Sequence, residues 1–115
     1  MVTIYHNPRC QKSREALKML EEKDIDHTVR LYMNDEESMS MDEFEQVLEA
    51  LDMDAEDLVR VQETLWKEEF KGLELDEEEV ILAMIEHPKL MERPIIVNGS
   101  EAVVARPAEK MEKVL

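Results

Sequence analysis

The sequence holds a single cysteine, Cys10, and a lone thiol closes no intramolecular disulfide and builds no cysteine-based metal cluster. Long apolar runs are missing as well; none approaches the roughly 20 residues that a membrane span needs. The first residues, Met1 to Tyr5, have neither the basic stretch nor the long apolar core of a secretory signal, so the expected location is cytoplasmic. Positive charge is scarce. Lys and Arg number 14 against 29 Asp and Glu, a net charge of −15 that repels nucleic acid and anionic lipid and favours solubility. The three histidines, His6, His27 and His87, show no metal-ligand spacing and read as surface or partly buried residues. There is no internal repeat, low-complexity segment or linker, so residues 1–115 read as one domain.

What is present reads as an ordered series of elements. Residues 2–6, rich in β-branched and aromatic types, predict a strand. Asn7-Pro8-Arg9-Cys10 reads as a turn, because Pro8 has a fixed φ and no N–H to donate. A helix follows over about 11–23 with Ala16, Leu17 and Leu20 on one face, and residues 27–32 predict a second strand. This βαβ unit implies parallel strands and a right-handed crossover. Residues 35–90 offer no strand and predict a helical insertion. Ser40 with Glu43, and Asp76 with Glu79, have the spacing of capping boxes, the latter ahead of Ile81, Leu82 and Ile85. Asp54 opens a short helix carrying Leu58, Gly72 reads as a breaker, and His87-Pro88 closes the last helix of the insertion. Residues 94–97 and 102–105 predict a hairpin about Asn98-Gly99, and Pro107 suits the first position of a final helix over 108–114. The order β-α-β, helical insertion, β-β-α is that of an α/β thioredoxin-like fold with a four-stranded mixed sheet.

Topology concentrates the chemistry at one edge of that sheet. Cys10 lies where the first strand meets the first helix. Arg93 precedes the third strand and Arg106 follows the fourth, so both stand at the open end of the hairpin. If the third strand runs antiparallel to the first, that open end lies beside Cys10. A helix N-terminus and nearby cations lower a thiol pKa, and the thiolate is the nucleophile. Ser13, three residues on, can offer its hydroxyl or its N–H to the sulfur. Arg9 and Arg14 add local positive charge, and arginine forks match the paired oxygens of tetrahedral oxyanions. In isolation a single cysteine reads as an inert small hydrophobe, and arginines read as surface charges. His6, which ends a strand, reads as structural rather than as a general base. The nine methionines read as filler.

The motif Tyr5-His6-Asn7-Pro8-Arg9-Cys10 with Ser13-Arg14, then Leu58-Val59-Arg60, Glu86-His87-Pro88, Arg93-Pro94-Ile95 and Arg106-Pro107, resembles the glutaredoxin-coupled arsenate reductase family in its short, single-cysteine branch. That resemblance implies a thioredoxin-like fold with a helical insertion. It further implies that Cys10 attacks arsenate and that Arg60, Arg93 and Arg106 hold the oxyanion. His6 and Ser13 would tune the thiol, and Pro94 would be cis. Arg60 enters only through the resemblance; the residues alone make it a surface charge. The implied co-substrate is glutathione and the implied protein partner is glutaredoxin, with no bound cofactor. The related Spx-type regulators usually carry a two-cysteine switch, which Cys10 and Ser13 cannot form. Two alternatives stand beside arsenate reduction: action on glutathione mixed disulfides, and a non-enzymatic regulator of the Spx kind.

Overall fold

The computed structural model describes residues 1–115. A four-stranded mixed sheet has the order β2-β1-β3-β4, with β1 at Val2–His6, β2 at His27–Leu31, β3 at Ile95–Asn98 and β4 at Glu101–Val104. Strand β1 pairs parallel with β2 (His6 opposite Leu31) and antiparallel with β3 (Tyr5 opposite Ile95). The thioredoxin-like order read from the sequence is therefore the observed one.

Alternation along β1 distributes its side chains between two apolar layers. Val2 and Ile4 join Ala16 and Leu20 of helix α1 (Gln11–Glu22), together with Met111 from the C-terminal segment. Tyr5 faces the opposite way. It packs among Phe44, Leu48, Leu58 and Met84, contributed by α2 (Met41–Leu51), α3 (Ala55–Leu58) and α4 (Glu77–Glu86). Period-two geometry also sends His6 toward α1, the side on which Ser13 lies.

Several local expectations are corrected. The hairpin pairs Asn98 with Glu101, so its loop residues are Gly99 and Ser100, one position later than expected; Gly99, at φ +63°, occupies the left-handed region that the turn requires. The final helix is a 3₁₀ segment, Ala108–Lys113, with Pro107 as its cap rather than its first residue. On α4 the buried face is Val80, Ile81, Ala83 and Met84, whereas Leu82 is exposed. The Asp76–Glu79 capping box forms in both directions. At α2 only Ser40 caps, because the Glu43 carboxylate is taken by Arg30 and the Tyr5 hydroxyl. Trp66–Phe70 form a single π-helical turn, with Gly72 at φ +93° just after it. No helix is long and apolar enough to cross a membrane.

One small feature of the insertion governs the site. Val59 and Met91 form an isolated antiparallel bridge. The Arg60 N–H donates to the Leu90 carbonyl at 2.6 Å, and the Glu92 N–H donates to the Leu58 carbonyl at 2.9 Å. The residue after α3 is thereby tied to the segment that leads into Arg93.

Candidate active site

Cys10 is the N-cap of α1, with extended backbone angles of φ −95° and ψ 123°. Serine, threonine or aspartate normally occupies such a position and accepts hydrogen bonds from the second and third helical N–H groups. Here those groups belong to Lys12 and Ser13; the Cys10 side chain makes no capping bond, but its sulfur sits where both N–H groups act on its ionisation. Burial pushes the Cys10 thiol up, but the Ser13 N–H, the Arg93 guanidinium beside the sulfur and the Lys12 N–H together bring it below its ordinary 9.0. The first turn of α1 contains no acidic residue to compete with the sulfur. The thiol is nearly buried, at 9% exposure. These neighbours thus favour the thiolate, the nucleophilic form.

The loop that presents it is held from within. The Cys10 N–H donates to the Asn7 carbonyl (2.9 Å) and the Arg9 N–H donates to Asn7 Oδ1 (3.0 Å). Arg14 reaches back from α1 to donate to the Pro8 carbonyl at 2.9 Å. The fully buried Ser13 hydroxyl accepts from the Asn7 N–H at 3.0 Å and lies 2.7 Å from His6 Nδ1. Burial, then the charge of Arg14, pulls His6 below its ordinary 6.5 against an opposing backbone bond to Ser13, which favours the neutral ring beside the Ser13 hydroxyl. Ser13 therefore serves the sulfur through its backbone and the loop through its hydroxyl. His6 is buried rather than at the surface.

The predicted arginines differ in placement. Arg93 turns inward: its Nε and Nη1 are buried without a hydrogen-bond partner in the protein. Arg60 is partly buried, donates to the Lys89 carbonyl at 3.3 Å and pairs with Glu63 at 3.4 Å. Its charge, with those of Arg93 and Cys10, is felt at the Tyr32 hydroxyl. The Ala105 N–H donates to the Pro94 carbonyl (2.9 Å), so Arg93 and Arg106 flank one inter-strand bond as the hairpin argument requires. The Arg106 side chain, however, is exposed and makes no bond within the chain. The Arg93–Pro94 peptide is cis, and so is Arg106–Pro107, which the sequence did not anticipate. No three His, Cys, Asp or Glu side chains converge to hold a metal ion.

The sequence also gave no sign of Tyr32. It is 2% exposed, and its hydroxyl is the third buried side-chain polar atom without a partner, beside the two of Arg93. The arrangement offers a thiolate next to unpaired N–H and O–H donors, a set suited to an acceptor-rich anion.

Comparison with known proteins identifies relatives over the whole chain. The ArsC family model matches residues 5–114. The chain is 37% identical over 116 residues to an arsenate reductase of Haemophilus influenzae, covering 99% of this chain and 98% of the relative. It is 41% identical to the uncharacterized protein YfgD of Escherichia coli, covering 99% and 96%. The solved arsenate reductase from Vibrio cholerae superposes with a TM-score of 0.92 at 40% identity, covering 99% of this chain and 97% of that one. On sequence and architecture together, this chain belongs to the ArsC family.

Proposed function

We propose that the protein is an arsenate reductase in which Cys10 is the nucleophile and Arg60, Arg93 and Arg106 hold the oxyanion. The observation that carries the reading is Cys10 at the N-cap position of α1 beside the unpaired donors of Arg93. The Cys10 thiolate attacks arsenic; a sulfur–arsenic bond forms, and one arsenic–oxygen bond breaks as that oxygen leaves protonated as water. Arginines neutralise the charge of the oxygens that remain. His6 and Ser13 hold the loop so that the first-turn N–H groups stay on the sulfur.

Reducing arsenic from the pentavalent to the trivalent state needs two electrons, which oxidation of two thiols to one disulfide supplies. The chain has only Cys10, which forms the adduct and is regenerated. Both electrons therefore come from outside thiols. Glutathione attacks the adduct, releasing a second water. A glutaredoxin thiol then attacks the glutathione sulfur, and the sulfur–arsenic electron pair stays on arsenic. Hydrolysis frees arsenite and restores Cys10. The sum is arsenate plus two thiols giving arsenite, a disulfide and water.

The test is turnover of arsenate with glutathione and glutaredoxin by the wild type and by Cys10→Ser. Turnover that disappears in the variant supports the reading. A glutathione adduct on Cys10 without arsenate turnover would move it to mixed-disulfide chemistry, and equal turnover by the variant would end it.

A further inference from the structure

Tyr32 directly follows β2 at the end of the sheet where β1 runs into the Cys10 loop: Leu31, the last residue of β2, is opposite His6, so Tyr32 stands beside Asn7. Its ring is fixed in place. It lies 6.3 Å from the Tyr5 ring and among Phe44, Met84 and Met91, and only 2% of the residue is exposed. A buried tyrosine hydroxyl is ordinarily hydrogen-bonded, because stripping it of water without a replacement is unfavourable. This one has no partner in the protein, and the only other buried side-chain polar atoms in that condition are Nε and Nη1 of Arg93. Two residues from separate strand ends thus hold back three hydrogen-bonding groups at one place. The charges of Arg93, Cys10 and Arg60 all act on the Tyr32 hydroxyl, in keeping with its register position beside the Cys10 loop. Two of the three groups are N–H donors and the third can donate, so the molecule that satisfies them is rich in acceptors.

The geometry points to Tyr32 as an oxyanion-binding residue, its hydroxyl donating to one oxygen of the tetrahedral anion that Arg93 holds beside Cys10. Burial, offset by Arg93 and reinforced by Cys10, pushes its pKa up to about 12, so at neutral pH it remains a donor and gives up no proton during the reaction. This inference rests on the oxyanion reading of the site and adds to the arginines a neutral donor on a rigid ring.

Protection of Cys10 from iodoacetamide tests it. The reagent is uncharged and the chain has one thiol, so the alkylation rate reports that sulfur alone. Sulfate and arsenate, added without glutathione, should slow alkylation of the wild type. In Tyr32→Phe the anion concentration for half-protection should rise about tenfold to a hundredfold, the usual worth of one hydrogen bond to a charged group. The anion-free alkylation rate should hold and the melting temperature should hold or rise, because the hydroxyl has no protein partner to lose and its burial is unfavourable. Equal protection in the variant would overturn the role of Tyr32 and leave arsenate chemistry standing. A lower melting temperature, or failure to fold, would make the hydroxyl structural and overturn it too. If neither anion protects the wild type, the oxyanion site itself falls, and Tyr32 with it.

Discussion

Replacing Arg93 by methionine should stabilise the unliganded protein while disabling its anion site. Nε and Nη1 of Arg93 are buried with no partner, and a donor left in that state costs about 1–3 kcal/mol. Methionine retains a flexible apolar stem and removes both donors and the charge. Where Cys10 is a protonated thiol, no counter-charge is lost, and the expected net gain is about 1–2 kcal/mol, or roughly 4–8 °C in Tm for a chain of this size. The sign of the pH dependence follows from the thiol. Cys10 has its pKa depressed below 9.0 in the fold. It therefore contributes stability that is fully present above 9.0 and lost as pH falls through the folded value. The variant lacks the cation responsible for part of that depression. Its advantage should be largest at about pH 6 and should shrink as pH rises toward 9. Melting curves across that range, with thiolate absorbance followed in parallel, measure both effects. Sulfate should raise the wild-type Tm by binding only the folded state and leave the variant unmoved. A variant that melts lower than wild type at about pH 6 would show the guanidinium to be a structural strut and refute the reasoning; so would an advantage that grows with pH.

The other residues around the site separate loop support from anion binding. Ser13→Ala removes the hydroxyl shared by the Asn7 N–H and His6 Nδ1 and should cost about 1–3 kcal/mol by urea unfolding. Because the Ser13 N–H remains, the thiol titration of that variant should barely move. Glu63→Gln frees Arg60 from the 3.4 Å pair and should tighten sulfate binding about two- to fivefold by calorimetry, with stability within about 0.5 kcal/mol of wild type. At Glu43 burial favours the neutral acid, but Arg30 and Tyr5 outweigh it and hold the carboxyl below its ordinary 4.5. Glu43→Gln should cost about 1–3 kcal/mol at pH 7, and the deficit should narrow as pH falls below 4.5, which unfolding at pH 7 and at about pH 3 would compare.

The parts of this molecule that are legible in the sequence are those fixed by local chemistry. Val2–His6 is β-branched and aromatic, Pro8 stops it, and Cys10 must then open α1. Arg93 and Arg106 are placed by the hairpin and by the prolines that follow them, so two residues distant in sequence flank one bond by topology alone. Arg60 is different. It reaches the site through a bridge of one residue pair, Val59 with Met91, too short to leave any periodicity, and only the family resemblance supplied it. Tyr32 was invisible for another reason: a tyrosine ending a strand looks like ordinary core, and nothing in the chain says that its hydroxyl lacks a partner. The dual use of Ser13, backbone to the sulfur and hydroxyl to His6, likewise depends on which side of β1 faces α1. The final 3₁₀ segment and the π-helical turn at Trp66–Phe70 are tertiary outcomes that propensity does not separate from α-helix.

The distribution of acid along the chain reconciles a net charge of −15 with an anion site. The first turns of α2, α3 and α4 carry Asp42 and Glu43, Glu56 and Asp57, and Glu77 through Glu79. Carboxylates there stabilise each helix by sitting at the positive end of its dipole. Helix α1 alone among the four has no acid in its first turn. Had α1 been capped by a side-chain oxygen as α2 and α4 are, that oxygen would hold the N–H groups of Lys12 and Ser13 that act on the sulfur, and the thiol would lose its main source of acidity. The same economy explains the orphaned donors. Any side chain that satisfied Arg93 and Tyr32 would strengthen the resting fold and block the anion, so leaving them unmet sacrifices some stability for a site that only a ligand completes. The acidic surface therefore does not contradict an oxyanion substrate: no carboxylate enters the first turn of α1, and Arg93 with the free donors lies where β1 and β2 end and β3 begins, around Cys10.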